Sequence, residues 1–353
     1  MSVLLSFSVA LNAFLLSMAI FNAITIIRPR GQSSHNLSFS ILVPCRNEAE
    51  NATELVASLG ALDHPNFEVI FIDDSSTDET AEKLQEAGAV VHYGLEGFKI
   101  HCKMCLVTRR EKGRDIRYAH MSTGNYNAQT AKIYADDSLF TARPSITQEV
   151  NKVFRSLYQG RLHTAYRHIL VAPYRMRDPL LAWIDFEIRR AKEGKRAWIF
   201  VKLNSLVDEA LIAALYRASQ AGVEVRCLVR GICALVPGVP GLSQHIRVVS
   251  IIDRYLEHAR VYAFCHGSKP LVYLSSADWM ARNMDYRVEL AFPLLDRRLQ
   301  QEVLDLLEIQ WNDRSKARWL NGGDANRLVG ETEGQNGGLR AQEAFFAYLR
   351  QQN

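Results

Sequence analysis

Two segments of this 353-residue chain carry the same set of reactive side chains. KIHCKMCLV at 99–107 is followed by RYAHMSTGNYN at 117–127, and YLEHARVYAF at 255–264 by VYLSSADWMARN at 272–283. Each has a histidine, a basic residue two positions on (Lys103, Arg260), an alternating apolar run, and a second run ending in small hydroxyl residues and an asparagine. Asn125 stands 24 positions after His101, and Asn283 stands 25 after His258. The repeat predicts two related half-sites facing each other across one cleft. Paired histidines flanked by cations suit chemistry on phosphorus. One neutral imidazole attacks a phosphoryl group; the other stabilises charge or moves a proton.

Alternation places His101 on a strand, with Lys99 and Lys103 on its face. Their ammonium groups would stabilise the transferring oxygens. His258 lies between Glu257 and Arg260, and a neighbouring carboxylate would fix its tautomer. Asn125 and Asn283 suit either amide donation to phosphate or turn capping. Lys103, Lys202, Arg254, Arg260, Arg282 and Arg287 could line a path for a polyanion; the competing reading is solvated surface charge.

These residues need a framework. RAWIFVKL (196–203), VEVRCLVR (223–230), IRVVSII (246–252), RVYAFC (260–265) and PLVYLSS (270–276) read as strands. Residues 208–222 read as a helix closed by Gly222, and 298–311 and 339–352 as two more. The Gly-rich stretch 329–338 reads as a linker. Composition is ordinary for a globular protein, 48% hydrophobic and 23% charged. A net charge of +4 gives no argument for nucleic acid. The six cysteines read as buried, reduced thiols, and Cys102-x-x-Cys105 lacks the second pair of a zinc site.

Residues 2–27 carry no charge, and as a helix they would span roughly 39 Å. Arg28 and Arg30 follow the segment, the order of an anchor with the body in the cytoplasm. The expected location is therefore the inner membrane, single-pass. After a polar linker, FSILVP (39–44) and FEVIFIDD (67–74) read as parallel strands flanking an amphipathic helix. SILVPCRNEAEN and VIFIDDSSTDET resemble the opening of family-2 glycosyltransferases. That resemblance implies nucleotide contact by Asp73 and Asp74, but it stops near residue 80, before any metal or base motif of that family.

From about residue 81 the chain resembles the C-terminal portion of type-1 polyphosphate kinase. The carrying segments are GFKIHCKM, RYAHMSTGNYNAQTAKIYAD, LVAPYRMR, KLNSLVDEALIAALYRASQAGVEVRCLVRGIC, IRVVSIIDRYLEHARVY and VYLSSADWMARNMDYRVELAFPLLD. The resemblance implies an α/β fold with phospholipase-D-like catalytic domains, one partial and one complete. It implies a phosphorylated nucleophile at His101, a partner histidine at His258, and nucleotide contacts from Tyr134, Arg230 and His258. His120 matches a family histidine of less defined role. ATP or ADP, polyphosphate and Mg²⁺ are the implied substrates and cofactor; metal ligands are unassigned, and a homo-oligomer is left open. The expected organisation is an anchor at 1–30, a truncated glycosyltransferase-like β-α-β unit at 31–80, and a partial first catalytic domain at 81–165. A second catalytic domain follows at 166–328, then a linker and terminal helix at 329–353. The kinase's earlier parts have no matching positions, so the expected turnover is impaired. The alternatives are a hybrid that binds polyphosphate or ATP without turnover, and a membrane family-2 glycosyltransferase. If the opening unit docks, its strands and 89–93 should form one parallel sheet that extends the kinase sheet from 89–93.

Overall fold

The computed structural model describes residues 39–62, 67–73, 76–93, 95, 97–111, 113–127, 129–162, 165–320, 326–334 and 337–352. The expected anchor at 2–27 and Asp74 lie outside them. Among the described residues, no helix is long and apolar enough to cross a membrane. Residues from 39 onward belong to one compact unit.

The first elements are β1 (Phe39–Cys45), α1 (Ala52–Gly60), β2 (Phe67–Asp73), α2 (Thr80–Glu86) and β3 (Val90–Tyr93). The strands are parallel, as the sequence predicts, and lie in the order β1-β2-β3. Ala52 of α1 and Leu84 of α2 are buried against Cys45 and Phe71. The expected attachment through β3 is not what forms. β1 is the strand that lies alongside the next sheet, at β5. Successive right-handed crossovers carry β2 and then β3 away from β1, so β1 is the inner edge.

Next come β4 (Lys99–Ile100), β5 (Lys103–Glu111), β6 (Arg114–Ser122), β7 (Tyr134–Ala135), β8 (Ser138–Thr141) and α3 (Pro144–Tyr158). β5, β6 and β8 make an antiparallel sheet. Met104, Leu106, Ala119 and Met121 share one face and are buried with Ile146, Val150, Val153 and Leu157 of α3. Burying each large apolar side chain contributes about 1.5–3 kcal/mol.

The remaining chain runs β9 (Leu170–Val171), α4 (Arg177–Lys192), β10 (Trp198–Leu203), α5 (Glu209–Gln220), β11 (Glu224–Val229), β12 (Ile246–Ile251), β13 (Leu256–Glu257), β14 (Arg260–Phe264) and β15 (Leu271–Ser275). It continues with α6 (Ala281–Asp285), β16 (Arg287–Val288), β17 (Leu290–Pro293), α7 (Arg297–Trp311), β18 (Ala317–Trp319), α8 (Val329–Thr332) and α9 (Ala341–Gln352). Among the described residues one sheet has the order β18-β12-β11-β10-β14-β15-β17-β9. β10, β11 and β12 are parallel, and β14 and β15 antiparallel. Ile199 and Val201 of β10 pack with Leu180 and Ile184 of α4 and Leu211 and Leu215 of α5. Phe200 points the other way, into the core that holds Leu307 and Trp311 of α7. Two faces buried on opposite layers explain why VEVRCLVR and RAWIFVKL read as near-continuous apolar runs. Asp208 caps α5 by accepting from the Leu211 N–H at 3.1 Å, as its position before the apolar period implies.

Three expectations are corrected. The stretch 329–338 is not all linker, because Val329–Thr332 is helical and Val329 is buried against the α7 core. Of the six cysteines, Cys105 is exposed and Cys102 and Cys233 are half-buried; all are free thiols. Alternation turns Cys105 away from the face that α3 covers. His101 does not sit within a strand but between β4 and β5.

Candidate functional site

Two short ribbons position the histidines. β4 pairs in parallel with β16, setting Ile100 beside Val288. The His101 and Cys102 N–H groups both donate to the Val288 carbonyl. β7 pairs in parallel with β13, setting Ala135 beside Glu257, and the His258 and Ala259 N–H groups both donate to the Ala135 carbonyl. Each histidine is thus held by a strand from the other repeat.

The side chains follow the same exchange. The His101 Nδ1–H donates to Glu289 Oε2 at 2.9 Å, and Glu289 is fully buried. The other Glu289 contacts are the Ser276 hydroxyl at 2.5 Å and the Asn283 amide at 2.6 Å. The His258 Nδ1–H donates to Asp136 Oδ1 at 2.8 Å, and the Thr123 hydroxyl donates to the same oxygen at 2.7 Å. Lys103 pairs with Ser122 across β5–β6, and Arg260 with Ser275 across β14–β15. In that register Thr123 matches Ser276, Asp136 matches Glu289, and Asn125 matches Asp278. Asn283, which ends the second run in the sequence, is out of register with Asn125.

Cations join the halves. Lys103 is buried, and its Nζ donates to the His101 carbonyl. Burial pulls its ammonium down to about 8, opposed by Glu289 and reinforced by Arg260. Arg260, also buried, donates to Asp278 at 3.1 Å and to the Thr123 carbonyl at 3.2 Å. Its Nη1 lies 3.0 Å from His258 Nε2. Burial lowers the pKa of both histidines; Glu289 and Asp136 work against that, and Lys103 and Arg260 with it. Both rings are therefore neutral at pH 7. They differ at Nε2. Arg260 Nη1 lies against the His258 ring, 3.0 Å from Nε2 and 3.3 Å from Nδ1, whereas the Nε2 of His101 has no hydrogen-bond partner among the described residues.

The other expected residues divide. The Tyr134 ring lies 4.7 Å from that of His258. Arg230 donates to Asn204 Oδ1; burial and then Arg260 lower its pKa, and the Asp278 and Asp136 carboxylates work against them. Arg287 bears electrostatically on His101. Asn125, Arg254 and Arg282 are exposed. Lys202 and Asn283 are both held by buried carboxylates. Lys202 is buried with its ammonium 2.7 Å from Glu257, and Asn283 is buried against Glu289. The carboxylate on His258 is Asp136 rather than the adjacent Glu257, since β13 turns successive side chains to opposite sides. His120 stands apart, stacked on Phe140 at 4.2 Å and bonded to the Tyr126 hydroxyl at 2.8 Å. Beside Tyr134 and Asp136 opens a cavity of about 590 Å³, walled by β13, α7 and α9.

The orienting carboxylates Glu289 and Asp136, and Asp278 on Arg260, went unseen in the sequence. The usable signal was the hydroxyl thirteen positions before each orienting carboxylate: Thr123 to Asp136, Ser276 to Glu289. Gly124 serves the same geometry. A Cβ there would lie 2.1 Å from Asp136 Oδ2, and Thr123 and His258 pin that carboxylate. Gly124→Ala should displace Asp136 and cost about 10–100-fold in turnover, as lost orienting partners do. Assay of the variant beside its thermal unfolding midpoint checks this, and wild-type turnover would contradict it.

Among the described residues, no group of three or more His, Cys, Asp or Glu could hold a metal ion.

The description "Polyphosphate kinase C-terminal domain 1" matches residues 71–163, and "Polyphosphate kinase C-terminal domain 2" matches residues 169–342. The first begins upstream of residue 81 and takes in the end of β2. Polyphosphate kinase of Escherichia coli strain K12 is 45% identical over 278 residues, 79% of this chain and 40% of that protein. The Yersinia pestis protein of the same name is 46% identical over the same span. The chain therefore covers well under half the length of these relatives. The crystal structure of polyphosphate kinase from Porphyromonas gingivalis superposes with a TM-score of 0.75 at 34% identity. It covers 90% of this chain and 48% of that one, more than residues 81–353 alone could supply. Part of the superposition therefore falls on the chain before residue 81.

Proposed function

Through residues 71–163 and 169–342 the chain belongs to the polyphosphate kinase family, and on that premise we propose that it transfers the γ-phosphoryl group of ATP reversibly to inorganic polyphosphate through a phosphohistidine at His101. The observation that carries this reading is the His101 ring, whose Nδ1–H is fixed by a buried carboxylate and whose Nε2 has no hydrogen-bond partner among the described residues. Arg260 Nη1 lies instead against the His258 ring, 3.0 Å from Nε2 and 3.3 Å from Nδ1. The Nε2 lone pair of His101 attacks the γ-phosphorus, and the bond to the β-phosphate oxygen breaks, releasing ADP. The Nδ1 proton stays on the ring, and Glu289 balances the positive charge that develops there. A terminal oxygen of polyphosphate then attacks phosphorus, the P–N bond breaks and His101 is restored. Lys103 and Arg260 stabilise the equatorial oxygens. Tyr134, Arg230 and His258 are the nucleotide contacts in this reading.

The matching register of the two repeats supports phospholipase-D-like half-sites. Magnesium would arrive on the nucleotide phosphates, and no step is routed through a protein-held ion. Membrane attachment through residues 2–27, with the body in the cytoplasm, rests on their charge pattern. The glycosyltransferase likeness of 39–80 rests on its two motifs.

The test is incubation with ATP and polyphosphate. ADP formation with chain elongation supports the reading. Retention of polyphosphate without ADP would instead favour a binding protein, and turnover of a UDP-sugar a glycosyltransferase. The rate should also have a defined pH window. The acid limb lies below the ordinary 6.5 of histidine, where His101 takes up a proton and loses its nucleophilic lone pair. The alkaline limb lies near 8, where Lys103 loses its charge. A pH–rate series checks both, and a Lys103→Arg variant should lack the alkaline limb.

A further inference from the structure

The two histidine ribbons are built alike, and the one that carries His258 is clamped from outside. The residue before His101 is the apolar Ile100; the residue before His258 is Glu257, a buried carboxylate. Three elements converge on it. Lys202 of β10 lies 2.7 Å from Oε2, Gln310 of α7 donates to the same oxygen at 2.8 Å, and Gln342 of α9 donates to Oε1 at 2.8 Å. Gln342 also accepts from the Tyr255 N–H at 3.0 Å and donates to the Tyr255 carbonyl at 2.8 Å. Its amide thus takes the place of a strand partner on the edge of β13 that β7 leaves open. The helix carrying it is anchored beside the clamp. Arg340 donates to Asp253 Oδ2 at 2.9 Å, and the Ala341 N–H donates to the buried Asp313 at 2.7 Å. Lys202 and Gln342 outweigh the burial that would raise Glu257, so its carboxyl lies below the usual range and is ionised at neutral pH.

We propose that Gln342 is a positioning residue for His258: the terminal helix α9, through Gln342 and Glu257, holds β13 against β7 and so holds the His258 ring on Asp136. A two-residue ribbon is too short to hold its own register. This deepens the kinase reading and rests on it only for the catalytic readout.

Hydrogen exchange on the full chain tests the clamp without reference to activity. In Gln342→Ala, amides within 254–260 should exchange about 10-fold faster, the response of a locally loosened segment, while 99–104 should keep wild-type rates. Unchanged exchange at 254–260, or an equal rise in both segments, would overturn the proposal. Gln342→Glu provides a second arm if the alanine variant fails to fold. It keeps the acceptor for the Tyr255 N–H but sets a second carboxylate against Glu257. It should open 254–260 more than alanine does at pH 7 and recover as the pH falls into the carboxylate range; wild-type exchange at pH 7 would overturn the proposal. Phosphoenzyme should still form in Gln342→Ala, with kcat/KM for ATP down about 10-fold. A variant that opens 254–260 but belongs to a protein without turnover keeps the clamp and removes only the kinase reading.

Discussion

Glu289→Gln is expected to give a folded protein that has lost on the order of 10²–10³-fold in phosphoryl transfer. The carboxylate is fully buried and contacts His101, Ser276 and Asn283. An amide of the same shape keeps one acceptor for the His101 Nδ1–H, so the tautomer survives. It removes the negative charge that balances the ring once Nε2 carries phosphate. Asn283 Oδ1 has no hydrogen-bond partner among the described residues, so a flip of the Asn283 amide breaks only its bond to residue 289 and lets it accept from the new NH₂ group. Rates beside an unfolding midpoint decide it: a drop below about tenfold in a folded variant would remove Glu289 from the mechanism. Glu289→Ala is a different experiment, because it leaves buried donors unpaired and costs stability.

Arg260→Ala should show its largest effect on stability, about 3 kcal/mol at neutral pH. Arg260 is buried and its guanidinium faces Asp278, itself buried, at 3.1 Å. Burial would raise the Asp278 carboxyl, and Arg260 with the Asn204 and Ser205 N–H groups more than offsets it, so the pKa lies below the usual range. In the wild type the stability from this carboxylate is full above its unfolded pKa and is lost as the pH falls through the lower folded value. Without Arg260 burial dominates and the folded pKa rises above the unfolded one, so the variant should regain part of its deficit as the pH is lowered. Denaturant unfolding at two pH values tests this; a deficit that stays constant or grows on acidification would contradict the ion-pair account. Transfer should fall as well, because Arg260 also lies against the His258 ring.

The framework was legible because periodicity reports burial. The apolar runs at 223–230 and 246–252 became β11 and β12, and 208–222 became α5 within a residue or two at each end. The histidines and their following cations were legible because a repeat of reactive residue types is rare in inert sequence. The orienting carboxylates were not. Asp136 and Glu289 serve a histidine in the other repeat, across 122 and 188 positions, and no local pattern encodes that exchange. Asn283 misled because it ends a similar-looking run; five places of false register hid Asp278 and Glu289 behind it. Lys202 reads from the sequence as part of a polyanion path, and what the sequence hides is its partner: alternation on β10 turns it inward to Glu257. The attachment of the opening strands through β1 was hidden for another reason. Sequence gives a strand's faces but not which edge meets its neighbour.

The central claim is that His101 carries the transferring phosphoryl group, and mapping the phosphoenzyme tests it most directly. The chain is incubated with γ-labelled ATP, quenched in alkali to preserve phosphohistidine, digested, and the labelled peptide sequenced by mass spectrometry. The predicted result is acid-labile, alkali-stable phosphate on His101, absent from His101→Ala and reduced but still on His101 in His258→Ala. Label that persists in His101→Ala, or that maps to His258 in the wild type, would contradict the account.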